Sequence, residues 1–514
     1  MFQIVAGKLF LELLNINFKI FNNKQIYPIY YFTGLSLVFV ILRLLNLFSI
    51  PFSVSLILLN ISLILFVFYK RIYFINVLKI YNQKSNYYYC FKILIIFLFL
   101  FLFLLFYWTQ SNLISGVNSL VGSLHSPRYA NIALYIIENN SIPVLAQNYS
   151  QSVFISIPHY FGLNSYLFSL LLFLTLNIFF LIYLIKILLQ SYFSSTFEVN
   201  LCIIFIILGC FSLPNNFYLL IDSGWPILLN GYSDTIIGIS TFILVFIYIK
   251  DFKEKQLTYS FYAFIGVTCI FWFSNAIQNL LYLAILCYIF KLIIKKNKYL
   301  FFLIPFLILG IISGGMITPS KLQSKNKIPG AKIINNNVTN TINFLPGLPY
   351  YKLQDGFKKN TFDISSVKYL WHGNNIETSK YYKIYSIFGF EILILPFIVI
   401  IYNLKTKTFI ELTQLVYKFF ICALILVFPF SIFNQKWELS RILIIPYFFT
   451  YILIFSMINN FYKTNHFRKY ILITIVVILT IPTLKTYLIT TLNNKKYFKE
   501  NFKILISPYN KYII

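Results

Sequence analysis

Long apolar runs alternate with short polar or basic stretches from one end of this chain to the other. The runs lie near 29–48, 51–69, 91–109, 164–189, 197–213, 235–249, 258–274, 277–294, 299–315, 385–403, 412–433, 441–461 and 470–489. About 20 apolar residues wound as a helix cover the ~30 Å hydrocarbon core of a bilayer, and most of these runs come close to that length. None shows the alternation of a membrane barrel strand, and only helices or closed barrels satisfy the backbone in lipid. The pattern predicts an all-α polytopic membrane protein of about 13 transmembrane helices. Pro51 breaks the first two runs apart, and Ser274-Asn275-Ala276 divides the pair around 258–294 as a tight turn. Met1 to Ile20 is apolar too, but Lys8, Glu12 and Lys19 interrupt it, which suits an interfacial amphipathic helix better than a cleavable leader.

Charge sorts the polar stretches into two sets. With the N-terminus taken as cytoplasmic, the inner set carries Lys8, Lys19 and Lys24, then Lys70, Arg71, Lys79, Lys84 and Lys92. Lys186, Lys250, Lys253, Lys255, Lys291, Lys295, Lys296 and Lys298 follow, and then Lys405, Lys407, Lys463, Arg468 and Lys469. The short outer loops hold only Arg128, Lys436 and Arg441. Short cytoplasmic loops are enriched in Lys and Arg, so this asymmetry sets the orientation. A cytoplasmic or interfacial segment then covers 1–27, and a transmembrane core covers 28–315 with a first external loop at 110–163. An external loop or cap follows at 316–384, C-terminal transmembrane helices at 385–489, and an external tail at 490–514. The cap is polar and turn-rich, with Pro319, Pro329-Gly330, Pro346-Gly347 and His372-Gly373. It reads as a small external loop domain, and long translocated segments are free to be Lys-rich. No inverted internal repeat of the kind found in many transporters is visible.

Composition removes other classes. Of 514 residues, 59% are hydrophobic and 11% charged, with a mean hydropathy of +0.77. Soluble domains run nearer 45–50% apolar and about 25% charged. The net charge of +28 does not indicate nucleic acid, because the basic residues sit mainly in loops flanking spans. The six cysteines (Cys90, Cys202, Cys210, Cys269, Cys287, Cys422) fall in or at apolar spans with no metal or redox spacing, and read as small buried hydrophobes.

One passage after a span has the character of a motif. His125-Ser126-Pro127-Arg128-Tyr129-Ala130-Asn131-Ile132-Ala133-Leu134-Tyr135 is followed by Glu138, by Ser141-Ile142-Pro143 and by Pro158-His159-Tyr160. It resembles the first external loop of the GT-C superfamily, multi-span glycosyltransferases that take sugar from a polyprenyl-phosphate carrier. In that pattern an acidic residue stands just after a span, ahead of a short helix, a G/N-x-(I/L)-P turn and a P-x-Y/H segment. The helix, turn and closing segment are recognisable here, whereas His125 stands at the acidic position. The stretch Trp437-Glu438-Leu439-Ser440-Arg441, running on to Pro446, resembles the late R-x-L-x-x-P element of the same proteins.

The resemblance implies transfer of a sugar from a polyprenyl-phosphate-linked donor to a glycan, lipid or protein acceptor, on the external face of the inner (plasma) membrane. Such transfer needs a base for the acceptor proton, cations for the departing phosphate and a groove open to membrane lipid. Asp222 and Asp234, in expected outer loops, are the better oxygen donors, and His125 could act as a base near neutral pH. Arg128 and Arg441 are the phosphate-binding candidates, since a guanidinium grips phosphate in a fork that Lys cannot copy. Trp225, Trp437 and Glu138 are candidates for substrate contact. Asp234 also suits a helix N-cap, and Trp at outer loops also suits an aromatic belt. No metal set is recognisable, and a divalent cofactor stays open.

Other readings share the composition. A polysaccharide polymerase or ligase would suit the large outer loop, although that loop has no arginine. A lipid-linked glycan flippase or transporter should carry ionisable residues inside spans, and Arg43, Lys418 and Glu391 are nearly the only ones. With His125 at the acidic position, a GT-C relative that has lost its chemistry is the third.

Overall fold

The N-terminal hairpin shows how closely this chain packs. In the computed structural model, α1 (Phe2–Leu13) runs antiparallel along α2 (Tyr27–Leu47), with Gly7 against Gly34. A Cβ added at Gly7 would lie 1.9 Å from the carbonyl oxygen of Tyr30, and one at Gly34 would lie 1.6 Å from that of Gln3. Only glycine permits backbones this near, as at small-residue crossings of membrane helices. α1 is about 18 Å long, too short to cross a bilayer unaided. It buries Ala6 and Leu11 and pairs Lys8 with Glu12 at 3.8 Å one turn on.

The structure describes residues 2–14, 16, 26–69, 84–110, 133, 136–142, 149–163, 165–212, 391–407, 409–414, 416–418, 421, 436–462, 467–474 and 476–477. It also describes scattered positions at 236, 239–241, 243–244, 246–247 and 267. Among them the structure is helical and contains no strand.

After α2, with Pro28 in its first turn, come α3 (Phe52–Tyr69) and α4 (Lys84–Gln110). Next are α5 (Tyr149–Ser156), a 3-10 helix (Ile157–Phe161), α6 (Tyr166–Gln190) and α7 (Thr196–Ser212). α8 (Glu391–Lys405) and α9 (Lys436–Phe461) complete the elements used below. These helices match the apolar runs expected near 29–48, 51–69, 91–109, 164–189, 197–213 and 441–461, and the part of the run at 385–403 from residue 391 on. Two departures stand out. α4 starts seven residues before its apolar run, and α9 starts at Lys436, so the residues from Lys436 to Arg441 expected in an outer loop are the first part of the helix.

α6 is the central element. Its Ser165 hydroxyl caps it by accepting from the Phe168 N–H, at 3.4 Å. Phe97 meets Phe179 and Phe101 meets Phe168, so α4 and α6 are antiparallel. Tyr31 of α2 donates to the buried Asn177 Oδ1 of α6 at 3.2 Å and stacks on Phe180, while Phe154 of α5 stacks on Phe173. α7 and α9 are also antiparallel, joined by Phe193 and Phe205 against Tyr451 and Phe455. On α8, the Asn403 side chain donates to the Leu453 carbonyl of α9.

α3 and α4 present apolar outer surfaces. α3 exposes Val54, Ile57, Leu58, Ile61, Ile64, Leu65 and Phe68, a continuous stripe at helical spacing. α4 exposes Phe91, Leu94, Ile95, Leu98, Phe99 and Leu102. Stretches Tyr27–Asn46 and Phe168–Gln190 are long and apolar enough to cross a membrane.

Candidate functional site

The α2–α3 turn has a problem that distant residues solve. α3 begins after Pro51, whose side chain offers no acceptor, so the first N–H groups of the helix need partners from elsewhere. Asn140 supplies them. Its carbonyl accepts from the Phe52 N–H and its Oδ1 from the Ser53 N–H, each at 2.7 Å. Its Nδ2 donates to Ser53 Oγ at 2.7 Å, and the Tyr160 hydroxyl donates to the same Oδ1 at 3.5 Å. Asn140 therefore acts as an N-cap supplied from 87 residues away. Its φ of 51° lies in the left-handed region, which Asn tolerates better than most residues.

A second asparagine completes the joint. Near the end of α2, Asn46 donates from Nδ2 to the Ile142 carbonyl and accepts at Oδ1 from the Ile142 N–H, both at 2.8 Å. That pair satisfies both backbone groups of one loop residue. Phe52 and Tyr160 pack with ring centroids 5.6 Å apart, and burial raises the Tyr160 pKa above its ordinary value. Ala133, Ile136, Ile142, Val153, Phe154 and Ile155 belong to the main apolar core, so these parts of the loop fold back onto the bundle.

Described residues of the passage behind the family resemblance thus meet at one place. Asn140, which follows the helical residues 136–139, and Tyr160 of the 3-10 helix holding Pro158-His159-Tyr160 contact the α2–α3 turn, and Ile142 bonds to Asn46 near the end of α2. Glu138 lies two residues before Asn140 and is exposed. The backbones of Trp437 and Arg441 lie one turn apart in the first two turns of α9. His125, Arg128, Asp222, Trp225 and Asp234 lie outside the described residues, as do the cap at 316–384 and the tail at 490–514. Among the described residues no three His, Cys, Asp or Glu side chains gather as metal ligands.

Sequence reasoning passed over Asn46, Ser53 and the capping role of Asn140. The signal available was Pro51 at the head of an apolar run, which leaves a helix start without its own cap. No protein-family model, curated protein or solved structure matches the chain. Fold and site together define an α-helical protein with helices fit to cross a membrane and a loop pinned at the α2–α3 end.

Proposed function

We propose that this chain is a multi-pass membrane glycosyltransferase of the GT-C type. It moves a sugar from a polyprenyl-phosphate carrier to an acceptor on the external face of the plasma membrane. The observation that carries the reading is the joint around Asn140. Asn140 and Ile142 at the recognised turn, and Tyr160 of the P-x-Y segment, come together where two apolar helices meet. A loop held this way offers a fixed floor for catalytic groups, and reacting groups need that fixity.

The membrane assignment draws on the apolar stripes of α3 and α4, because a water-soluble chain seldom exposes such continuous surface. Sidedness draws on which residues meet. Asn46, Ser53, Asn140 and Tyr160, from turns expected outside, cluster at one end. Glu198, Tyr192, Phe409, Asn459 and Arg468, at or near loops expected inside, make their contacts with one another.

In this reading Asp222 or Asp234 takes the proton from the acceptor, with His125 as the other base candidate. Arg128 and Arg441 hold the departing phosphate. Trp225, Trp437 and Glu138 contact sugar or acceptor. The test uses membranes containing the full chain and a radiolabelled polyprenyl-phosphate sugar. Asp222→Asn and Arg441→Ala should each abolish transfer while leaving the protein membrane-bound, and full activity in both would remove this site. His125→Asp decides whether the chain is a relative with weakened chemistry. Increased transfer marks a degenerate acid position, and loss gives His125 a role of its own.

A further inference from the structure

We propose that Arg468 is a latch closing the seam between α7 and α9 at the end where Glu198 lies. The inference does not depend on the transferase reading. Arg468 Nη2 donates to Glu198 Oε1, and its Nε and Nη2 donate to Asn459 Oδ1 at 3.0 and 2.6 Å. One guanidinium thereby ties the first turn of α7, the last turn of α9 and the helical residues starting at 468. The carboxylate also sits where the α7 backbone dipole favours negative charge.

Neighbouring contacts gather at the same end. The Lys469 ammonium lies 5.8 Å from the centre of the Phe197 ring. Phe409 packs on Tyr192 and Phe193 in the turn between α6 and α7. Behind the ion pair the seam is apolar, lined by Phe205, Tyr451 and Phe455. Cys202 stands one turn into α7 from Glu198 and is fully buried.

Position decides what the pair is for. A charge pair sealed in apolar surroundings cannot separate without stranding two charges. This pair is at the edge: Arg468 and Glu198 keep 25% and 13% of their side-chain exposure. Both can return to water when they part, so the contact is able to open. The bonds to Asn459, which is itself buried, add strength that an ordinary surface pair lacks. The aromatic contacts behind the pair align the helices, and the latch determines whether water and small solutes enter between them.

Cys202 is the reporter. The full-length chain in native membranes is treated with N-ethylmaleimide, and modification is mapped by mass spectrometry. In the unaltered protein Cys202 should stay unmodified over times that fully label detergent-denatured protein. Glu198→Gln and Arg468→Met should each speed Cys202 labelling about tenfold, as loss of a charge-assisted contact shifts the opening equilibrium. The double exchange Glu198→Arg with Arg468→Glu should restore protection, because the Asn459 amide can donate to the relocated carboxylate. Unchanged labelling in both single variants would overturn the latch and leave the seam to its aromatic packing. If the single variants unfold, all cysteines label together and the double exchange decides. Restored protection of Cys202 then supports the latch, and its failure overturns it.

Discussion

Replacing Asn140 by Asp, Gly and Ala separates the two things that residue does at the start of α3. It caps the helix through its side chain, and it holds a left-handed backbone at φ 51°. Asp keeps the Oδ1 acceptor for the Ser53 N–H, loses the donor to Ser53 Oγ, and places a charge where the helix dipole favours it, so its cost stays below about 1 kcal/mol. Gly keeps the backbone but loses both side-chain bonds to Ser53, at about 1–2 kcal/mol. Ala loses the cap and is strained at positive φ, for about 2–3 kcal/mol in all. Hydrogen exchange of the segment holding Phe52 and Ser53 reads these costs locally, because both amides rely on Asn140. Opening that needs 2–3 kcal/mol less should exchange roughly 30- to 160-fold faster in the Ala variant. The order Asp, Gly, Ala is the test. An Ala variant no faster than Gly would show that the left-handed backbone carries no strain. Exchange unaffected in all three would mean that α3 does not depend on this cap.

Gly7→Ala should be costly, since the new methyl meets a backbone oxygen rather than a side chain that can turn aside. About 3 kcal/mol is expected, the upper end for overpacking, seen as a lower melting temperature and faster proteolysis of α1. Wild-type stability would show that α1 is free to shift along α2. Burial, and next the nearby Glu411 carboxylate, raise the pKa of Tyr192. The unfolded chain therefore loses this proton first as pH rises through about 10, and native stability falls from there towards the raised value. Tyr192→Phe should remove part of the drop in melting temperature between pH 9 and 11. An identical drop in the variant would rule out this tyrosine as its source.

How much of this could be read from the chain depends on how far apart the interacting residues lie. The ends of α2, α3, α6 and α7 fall within two residues of their apolar runs, because Pro28, Pro51, Ser165 and the turn at 191–195 mark those ends locally. α4 and α9 start earlier than hydropathy suggests for a single reason. Hydropathy marks the depth that suits lipid, whereas a helix continues as long as its backbone bonds do, so Asn86-Tyr87-Tyr88-Tyr89 and Lys436-Trp437-Glu438 are helical despite being polar or mixed. The Asn140 cap and the Asn46 pair span 87 and 96 residues, and the Arg468 contact with Glu198 spans 270. Pairings at such distances follow from the fold, and no local period announces them. One rule does reach across: a helix start without its own cap must find one elsewhere. Applied to Pro51, it points to a polar residue brought in from another loop. The resemblance had already singled out that loop for a different reason. The resemblance and backbone accounting thus converge on the same few residues, so on the proposed transferase reading loss of the Asn140 cap should lower sugar transfer as well as stability.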